Sequence, residues 1–180
     1  KSRLSTRIFD ESREIIASFV KADLSKNTVI FGKNASEAIN KLSHSLPHGD
    51  DCVVITTRME HPSNDLPWRD HFNVVHVDVL PDGRLDEEDF DRKLAEHKDH
   101  LSLVAVAGAA NLTPYLQPIH TLARKVHEAG SLILIDAAQL APHREIDMKP
   151  QDHPEHLDFV VLAGHKMYAP YGTGCLIGPK

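Results

Sequence analysis

Residues 157–174 have the sequence LDFVVLAGHKMYAPYGTG, an apolar run that ends at Ala163 and is followed by Lys166. Residues 132–139 have the sequence LILIDAAQ, a second apolar run that leads directly into Asp136. Short apolar runs of this kind are typical of buried strands. Ligands of open α/β sheets bind just beyond the carboxyl ends of the strands. The two stretches therefore predict one site that contains a lysine amine and a carboxylate.

A lysine and a carboxylate in these positions are typical of pyridoxal phosphate chemistry. The amine of Lys166 would form a Schiff base with the cofactor aldehyde, and Asp136 would pair with the protonated pyridine nitrogen. A close carboxylate raises the pKa of that nitrogen by roughly one to three units. The simpler alternatives are a solvated surface lysine and an aspartate that caps a turn.

Strand-like and helical patterns alternate along most of the chain. After a helical stripe over residues 5–22, seven short apolar runs predict strands, and helical patterns separate most of them. Such alternation favours a mostly parallel sheet with helices on both faces, a three-layer α/β/α sandwich. The last connection is short for a crossover, so we expect the last strand to run antiparallel. The predicted strands are 28–31, 52–56, 74–79, 101–107, 132–135, 159–163 and 174–177, and the predicted helices between them are 36–46, 65–72, 86–97 and 119–129.

Composition excludes several classes of protein. A length of 180 residues with 41 % hydrophobic residues favours one folded domain with a real core. The net charge of −6, without a basic block, argues against a nucleic-acid partner. No apolar run approaches the roughly 18 residues of a membrane helix, and no signal-peptide core follows the charged start. Two cysteines, Cys52 and Cys175, form no disulfide framework, so we expect a reducing cytoplasm.

A phosphate site is predicted where residues 31–38 pass from a strand through a loop into a helix. Free N–H groups at a helix start bind anions, and Ser36 would add a hydroxyl. Taken alone, this segment favours a simpler interpretation, with Ser36 as an ordinary N-cap and Asn34 in the turn.

Histidine supplies two further hypotheses. His61 follows the second predicted strand and would stack on the cofactor ring, although in a chain with 13 histidines a plain loop residue is the commoner role. A metal site would use the pair His153 and His156 or the pair His44 and His48. No cysteine or carboxylate stands in ligand register with both pairs, so we expect no metal.

Two amides complete the predicted site. Gln139, three residues after Asp136, and Asn111, after the fourth predicted strand, would reach the phenolic oxygen of the cofactor ring. Asn111 would otherwise be a turn residue before Pro114. The combination carries more weight than any single residue, because each candidate follows a different strand on its carboxyl side. These residues are Ser36, His61, Asn111, Asp136 and Lys166.

Four stretches, in this order, resemble the class V aminotransferase family of fold-type I pyridoxal-phosphate enzymes. They are GKNASEAIN, EHPSNDLPW, DAAQLAPHREIDM and GHKMYAPYGTG, and their pattern is that of the cysteine desulfurase and selenocysteine lyase branch. The resemblance covers residues 28–180, after an N-terminal helical segment over 1–27. It implies a seven-stranded large-domain sheet with an antiparallel last strand, pyridoxal 5'-phosphate as the cofactor, an amino-acid substrate and a homodimer.

The resemblance also implies a role for each candidate residue. Lys166 would form the Schiff base and later carry protons, Asp136 would bind the pyridine nitrogen, and His61 would stack on the ring. The remaining roles are Ala138 on the opposite face of the ring, Gln139 and Asn111 at the phenolic oxygen, and the backbone of Ala35, the Ser36 hydroxyl and His165 at the phosphate.

Two departures from the family leave alternatives open. Ala163 stands where the family usually has a serine, so one phosphate donor is absent. Family members are also longer, with a carboxy-terminal domain that carries a substrate-binding arginine and, in desulfurases, a nucleophilic cysteine that neither Cys52 nor Cys175 matches. A desulfurase-like cofactor domain, another class V activity such as an aminotransferase, and a catalytically silent binding or assembly domain all remain open. A nucleotide-binding domain is disfavoured because the chain has no G-x-G-x-x-G or G-K-[ST] loop.

Overall fold

The computed structural model describes the backbone of residues 2–180 and the side chains of residues 3–180. Lys1, the first residue of the predicted N-terminal segment, lies outside the described residues. Seven strands form one sheet in the order β1-β7-β6-β5-β4-β2-β3. The strands are β1 Asn27–Gly32, β2 Val53–Thr57, β3 Asn73–Val77, β4 Leu101–Ala107, β5 Leu132–Asp136, β6 Phe159–Ala163 and β7 Gly174–Pro179.

The direction of the last strand follows the prediction. β7 runs antiparallel to both of its neighbours, β1 and β6, whereas the other neighbouring pairs are parallel. Because β1 is antiparallel to β7, it points the same way as β2 to β6. Six strands therefore present their carboxyl ends at the same edge of the sheet, which we call the carboxyl edge. The opposite end is the amino edge.

Two apolar layers confirm the predicted sandwich. Successive residues of β4 alternate between the faces: Val104 and Val106 pack with the residues of one hydrophobic cluster, and Leu103 and Ala105 pack with those of the other. The first cluster contains residues of three helices, α1 Ser2–Phe19, α3 Glu87–His97 and α4 Ile119–Glu128. The second contains residues of α2 Ala35–Ser45. Strands buried on both faces become the nearly continuous apolar runs seen in the sequence.

The predicted helix over residues 65–72 is wrong. Two 3₁₀ turns, Pro62–Asn64 and Leu66–Trp68, occupy this region. Pro62 and Pro67 have no N–H to donate, so a regular helical ladder cannot run through the segment. The buried Trp68 anchors it instead, because its indole N–H donates to the carbonyl of Asn64 at 3.0 Å.

Across residues 2–180, no helix combines the length and apolarity that crossing a membrane requires.

Candidate active site at the carboxyl edge

A cavity of about 140 Å³ opens at the carboxyl edge of the sheet. Every residue that the sequence nominated lines this cavity, and the five that follow different strands meet there. Five residues that were not nominated also line it: Asn34, Met59, Ser63, Ala109 and Ala163. The nominated residues are Ala35, Ser36, His61, Asn111, Asp136, Ala138, Gln139, His165 and Lys166. Their individual roles remain predictions.

The start of α2 forms one end of the cavity. Asn34 is the N-cap, and its side chain accepts a hydrogen bond from the Glu37 N–H at 2.8 Å. The interpretation of Ser36 as the cap is therefore wrong. Among the described residues, the N–H groups of Ala35 and Ser36 and the Ser36 hydroxyl have no hydrogen-bond partner. Unpaired N–H groups in the first turn of a helix, together with a free hydroxyl, can bind an anion.

Gly174 allows the α2 start to lie against the sheet. It is the first residue of β7, and a Cβ at this position would come within 2.4 Å of the Asn34 carbonyl carbon. Any larger residue would push the loop away from β7. The glycine thus keeps the predicted phosphate loop close to the end of β6, where Lys166 follows.

Asp136 lies at the end of β5 and is only 6 % exposed. Its Oδ1 accepts a hydrogen bond from the Ala138 N–H at 3.0 Å. Burial raises the pKa of this carboxyl above its ordinary value, while the Ala138 N–H and the charges of Lys166 and His61 act in the opposite direction. A cationic partner in the cavity would therefore stabilise the ionised carboxylate.

Lys166 belongs to a 3₁₀ turn, Gly164–Met167, directly after β6. The turn ends at Tyr168, whose φ of 63° reverses the chain. Among residues 2–180 the half-buried Lys166 amine has no hydrogen-bond or ion-pair partner. The neighbouring His165 ring stacks on Tyr171 with centroids 5.2 Å apart. The amine is thus held at the cavity without a competing acceptor.

His61 has a defined tautomer. Its Nδ1 caps the first 3₁₀ turn, accepting from the Ser63 N–H at 3.2 Å and lying 2.7 Å from the Ser63 hydroxyl. Because an N–H donates to Nδ1, the proton of a neutral ring lies on Nε2. The ring itself is exposed, which leaves a face free for a planar ligand.

Glu60 is a residue of this region that the sequence interpretation missed. Its carboxylate accepts hydrogen bonds from the Thr57 hydroxyl at 2.6 Å, the Asn64 amide at 2.7 Å and the Ala107 N–H at 3.0 Å. These bonds join the ends of β2 and β4. Burial raises the pKa of Glu60 to about 7, and the charge of Asp136 adds to the increase. The only signal in the sequence was its position directly before His61.

Neither cysteine resembles a reactive thiol of this site. Cys175 lies in β7 and is 2 % exposed, and burial raises the pKa of its thiol to about 12. Cys52 is half-buried and free. Thiolates are the reactive form of cysteine, so the Cys175 side chain is an apolar core group at neutral pH.

Comparison with known proteins agrees with this fold. The family model described as Aminotransferase class-V matches residues 2–180. A probable cysteine desulfurase of Streptomyces coelicolor is 34% identical over 97% of this chain and 43% of its own length. A probable cysteine desulfurase of Synechocystis is 37% identical over 98% of this chain and 42% of its own. An apo cysteine desulfurase structure from Thermococcus onnurineus has a TM-score of 0.84 at 28% identity and covers 99% of this chain and 44% of that one.

The seven-stranded sheet of this chain matches the fold of that solved cysteine desulfurase structure. The chain belongs to the class V aminotransferase family. Its curated relatives include cysteine desulfurases, and the chain spans less than half of their length.

Proposed function

We propose that residues 28–180 form the pyridoxal 5'-phosphate-binding large domain of a cysteine desulfurase-like enzyme, with residues 1–27 leading into it. One observation carries the proposal: the Lys166 amine, the Asp136 carboxylate and the free N–H groups at the start of α2 face a single cavity. Family membership and the desulfurase relatives support the same conclusion.

The residues around the cavity fit the cofactor chemically. The unpaired N–H groups of Ala35 and Ser36, with the Ser36 hydroxyl, suit a phosphate. Asp136 suits a protonated pyridine nitrogen, because a cationic partner offsets the cost of burying the carboxylate. Lys166 has an amine without a partner among the described residues, as a covalent attachment requires. The donors, the carboxylate and the amine match three polar parts of the cofactor: the phosphate, the ring nitrogen and the aldehyde.

Bound pyridoxal phosphate would supply an electron sink for a carbanion at the substrate α-carbon. Asp136 would keep the ring nitrogen protonated, His61 would pack on one face of the ring and Ala138 on the other. Gln139 and Asn111 would donate to the phenolic oxygen. Once an amino-acid substrate had displaced it, Lys166 would move a proton at the α-carbon as general base and acid.

The reaction class depends on residues that the family resemblance assigns to other parts of its longer members. A desulfurase would need a thiolate to accept sulfur, and the thiol of the buried Cys175 is protonated at neutral pH. We favour a desulfurase-like lyase on an amino-acid substrate because the relatives cited carry that name. An aminotransferase reaction is the alternative within the family.

We also propose that the complete protein works as a homodimer in the cytoplasm. Large apolar side chains are exposed beside the cavity at Leu112, Tyr168 and Tyr171. Others are exposed along α1, among them Ile8 and Ile15. Exposed apolar surface of this extent is typical of contact regions, and both cysteines are free, as in a reducing compartment.

The cofactor site is tested by adding pyridoxal phosphate to the purified chain. We expect a yellow complex, and borohydride reduction should attach the cofactor permanently to Lys166, as peptide mass mapping would show. Lys166→Ala should abolish the covalent label. Lys98→Ala is the matched control, because it removes an exposed lysine that follows α3, far along the chain from the site.

A wild-type chain that stays colourless, or a label that persists in Lys166→Ala, would contradict the proposal. The colourless result would favour the catalytically silent domain, an interpretation that the missing hydroxyl at Ala163 already suggests. Far-ultraviolet circular dichroism of each variant separates loss of the site from loss of the fold.

A further inference from the structure

A second polar cluster lies at the amino edge of the sheet. His127 is in the last turn of α4, His156 is in the loop before β6, and Asp158 directly precedes β6. One ligand atom from each residue, a ring nitrogen or a carboxylate oxygen, lies within 4.8 Å of the other two. The side chains are 17%, 17% and 9% exposed, so the cluster is largely shielded from solvent.

Both imidazole rings have acceptors at both nitrogens. The Nε2 atoms of His127 and His156 lie 2.9 Å and 3.1 Å from the two carboxylate oxygens of Asp158. The Nδ1 atoms lie 2.8 Å from the Pro154 carbonyl and 2.7 Å from the His153 carbonyl. A carbonyl oxygen can only accept, so each Nδ1 carries a proton. A neutral ring then points the Nε2 lone pair at a carboxylate oxygen, which is also an acceptor.

The two rings stack with centroids 4.1 Å apart, so both Nε2 atoms lie beside one carboxylate. One divalent cation in this place would accept both Nε2 lone pairs and the carboxylate together. A single ion would therefore satisfy all three groups.

The surroundings of the cluster favour the cation. Histidine ligands of metals almost always donate their other N–H to a carbonyl or carboxylate, and carboxylate ligands are themselves hydrogen-bonded. Here both Nδ1 atoms face carbonyls, and Asp158 Oδ2 accepts from the Ile133 N–H at 2.9 Å. These contacts hold the two rings and the carboxylate next to one another.

We propose that His127, His156 and Asp158 bind Zn²⁺. Two imidazoles and a carboxylate are common zinc ligands at about 2.0–2.2 Å, and neighbouring ligand atoms of a tetrahedral site then lie roughly 3.3 Å apart. The nitrogen–oxygen distances of 2.9 and 3.1 Å are close to this spacing, and a modest tilt of the stacked rings closes the rest. A water molecule on the exposed side would be the fourth ligand.

The ion would join three elements: the end of α4, the loop before β6 and the start of β5. Ile133 and Asp136 are three residues apart on β5, so the cluster lies about 10 Å from the cavity along the strand direction. Its role would be structural, and the proposal does not depend on the cofactor site. The histidine pairs considered from the sequence share only His156 with this cluster.

The chain, stripped with EDTA, can be titrated with ZnCl₂ by calorimetry near neutral pH, and with Co²⁺ for its visible absorption. We expect one strong site per chain, a tetrahedral Co²⁺ spectrum and a melting temperature that rises by roughly 5 °C at saturating Zn²⁺. His127→Gln and His156→Gln should each weaken binding at least about 100-fold.

His120→Gln is the matched control. His120 is also on α4, and its Nδ1 contacts the Glu155 carbonyl at 2.9 Å in the same loop, so this variant should retain the strong site. If a histidine variant does not fold, Asp158→Asn tests the same site, because it removes the charged ligand and keeps the size of the side chain. The proposal is overturned if the wild type has no strong site, or if His120→Gln and His156→Gln bind Zn²⁺ equally. It is also overturned if saturating Zn²⁺ leaves the melting temperature unchanged and only a change of pH alters it.

Discussion

Asp136 and Asp158 are buried carboxylates at opposite ends of neighbouring strands, β5 and β6, and they differ in what satisfies them. Asp136 has a single hydrogen bond from the described residues, and burial raises the pKa of its carboxyl. Asp158 accepts a backbone N–H and contacts two imidazole rings. At the carboxyl edge, the Asp136 carboxylate thus lies beside a cavity without an ion-pair partner among the described residues, as expected of a site that binds a charged ligand. The amino edge surrounds its charge with protein groups, as a structural centre does.

The strongest test of this difference is Asp136→Asn in the chain loaded with pyridoxal phosphate. Losing the carboxylate lowers the pKa of the ring nitrogen by roughly one to three units, so exchange of the amino-acid α-proton should slow by roughly 10- to 1,000-fold. The measurement is deuterium incorporation followed by NMR. Asp158→Asn should exchange at the wild-type rate, and equal losses in both variants would remove the functional distinction between the two edges.

Stability should show the opposite order. Asp158→Ala leaves the buried Ile133 N–H without its acceptor, and we expect it to cost up to about 3 kcal/mol of unfolding free energy. Asp136→Ala removes a carboxylate whose burial is unfavourable and should change stability by less than about 1 kcal/mol. Urea denaturation in the presence of EDTA measures both. A larger loss for Asp136→Ala would show that the cavity carboxylate is also structural.

The two edges were not equally predictable from the sequence. Each candidate residue at the carboxyl edge lies at the end of an apolar run or a few residues after it, so knowing that the strands were parallel was enough to group Ser36, Asp136 and Lys166. The amino-edge cluster pairs His127 with Asp158, 31 positions away, and this contact depends on how α4 packs on the sheet. No local pattern encodes that packing.

Local errors in the prediction have similarly physical causes. Asn34 and Ser36 are both good N-caps, and only backbone geometry shows that Asn34 takes the position. The apolar pattern over 65–72 resembled a helix because Trp68 and Phe72 are four residues apart and buried in one cluster. The 3₁₀ turns place both rings in that cluster without a helical ladder.

Glu60 lies between the ends of β2 and β4 and offers a pH test of the carboxyl edge. Its pKa in the folded chain is about 7, raised from 4.5 mainly by burial. Because the pKa of Glu60 is higher in the folded chain than in the unfolded chain, Glu60 contributes its full stabilisation at pH values below the unfolded-state pKa. This stabilisation is lost as the pH rises through the folded-state pKa. Between about pH 4.5 and pH 7 the wild type should therefore lose on the order of 2–3 kcal/mol through this group.

Glu60→Gln should remove that pH dependence, so the variant gains stability relative to the wild type as the pH rises. The amide oxygen of Asn64 is buried without a hydrogen-bond partner, and a rotated Asn64 would accept from the new amide N–H. Urea denaturation at pH 5 and pH 8 gives the difference. Parallel curves for the two proteins would mean that Glu60 titrates in the folded state as it does in the unfolded chain.

The smallest expected effect concerns Ala163, which is 2 % exposed at the end of β6 and lines the cavity. Ala163→Ser should add one hydrogen-bond donor to the predicted phosphate end, worth about 1 kcal/mol or roughly fivefold in cofactor affinity. Fluorescence titration with pyridoxal phosphate measures the change in the Lys166→Ala background, where covalent attachment does not mask it. Ala109→Ser is the matched control, because it also adds a hydroxyl to the cavity wall. Leu162→Ser is unsuitable, because Leu162 packs in the core on the other face of the sheet. If both serines raise the cofactor affinity equally, the gain comes from the greater polarity of the cavity and not from a hydrogen bond to the phosphate. The proposed phosphate site at the start of α2 would then be less specific than its free N–H groups suggest.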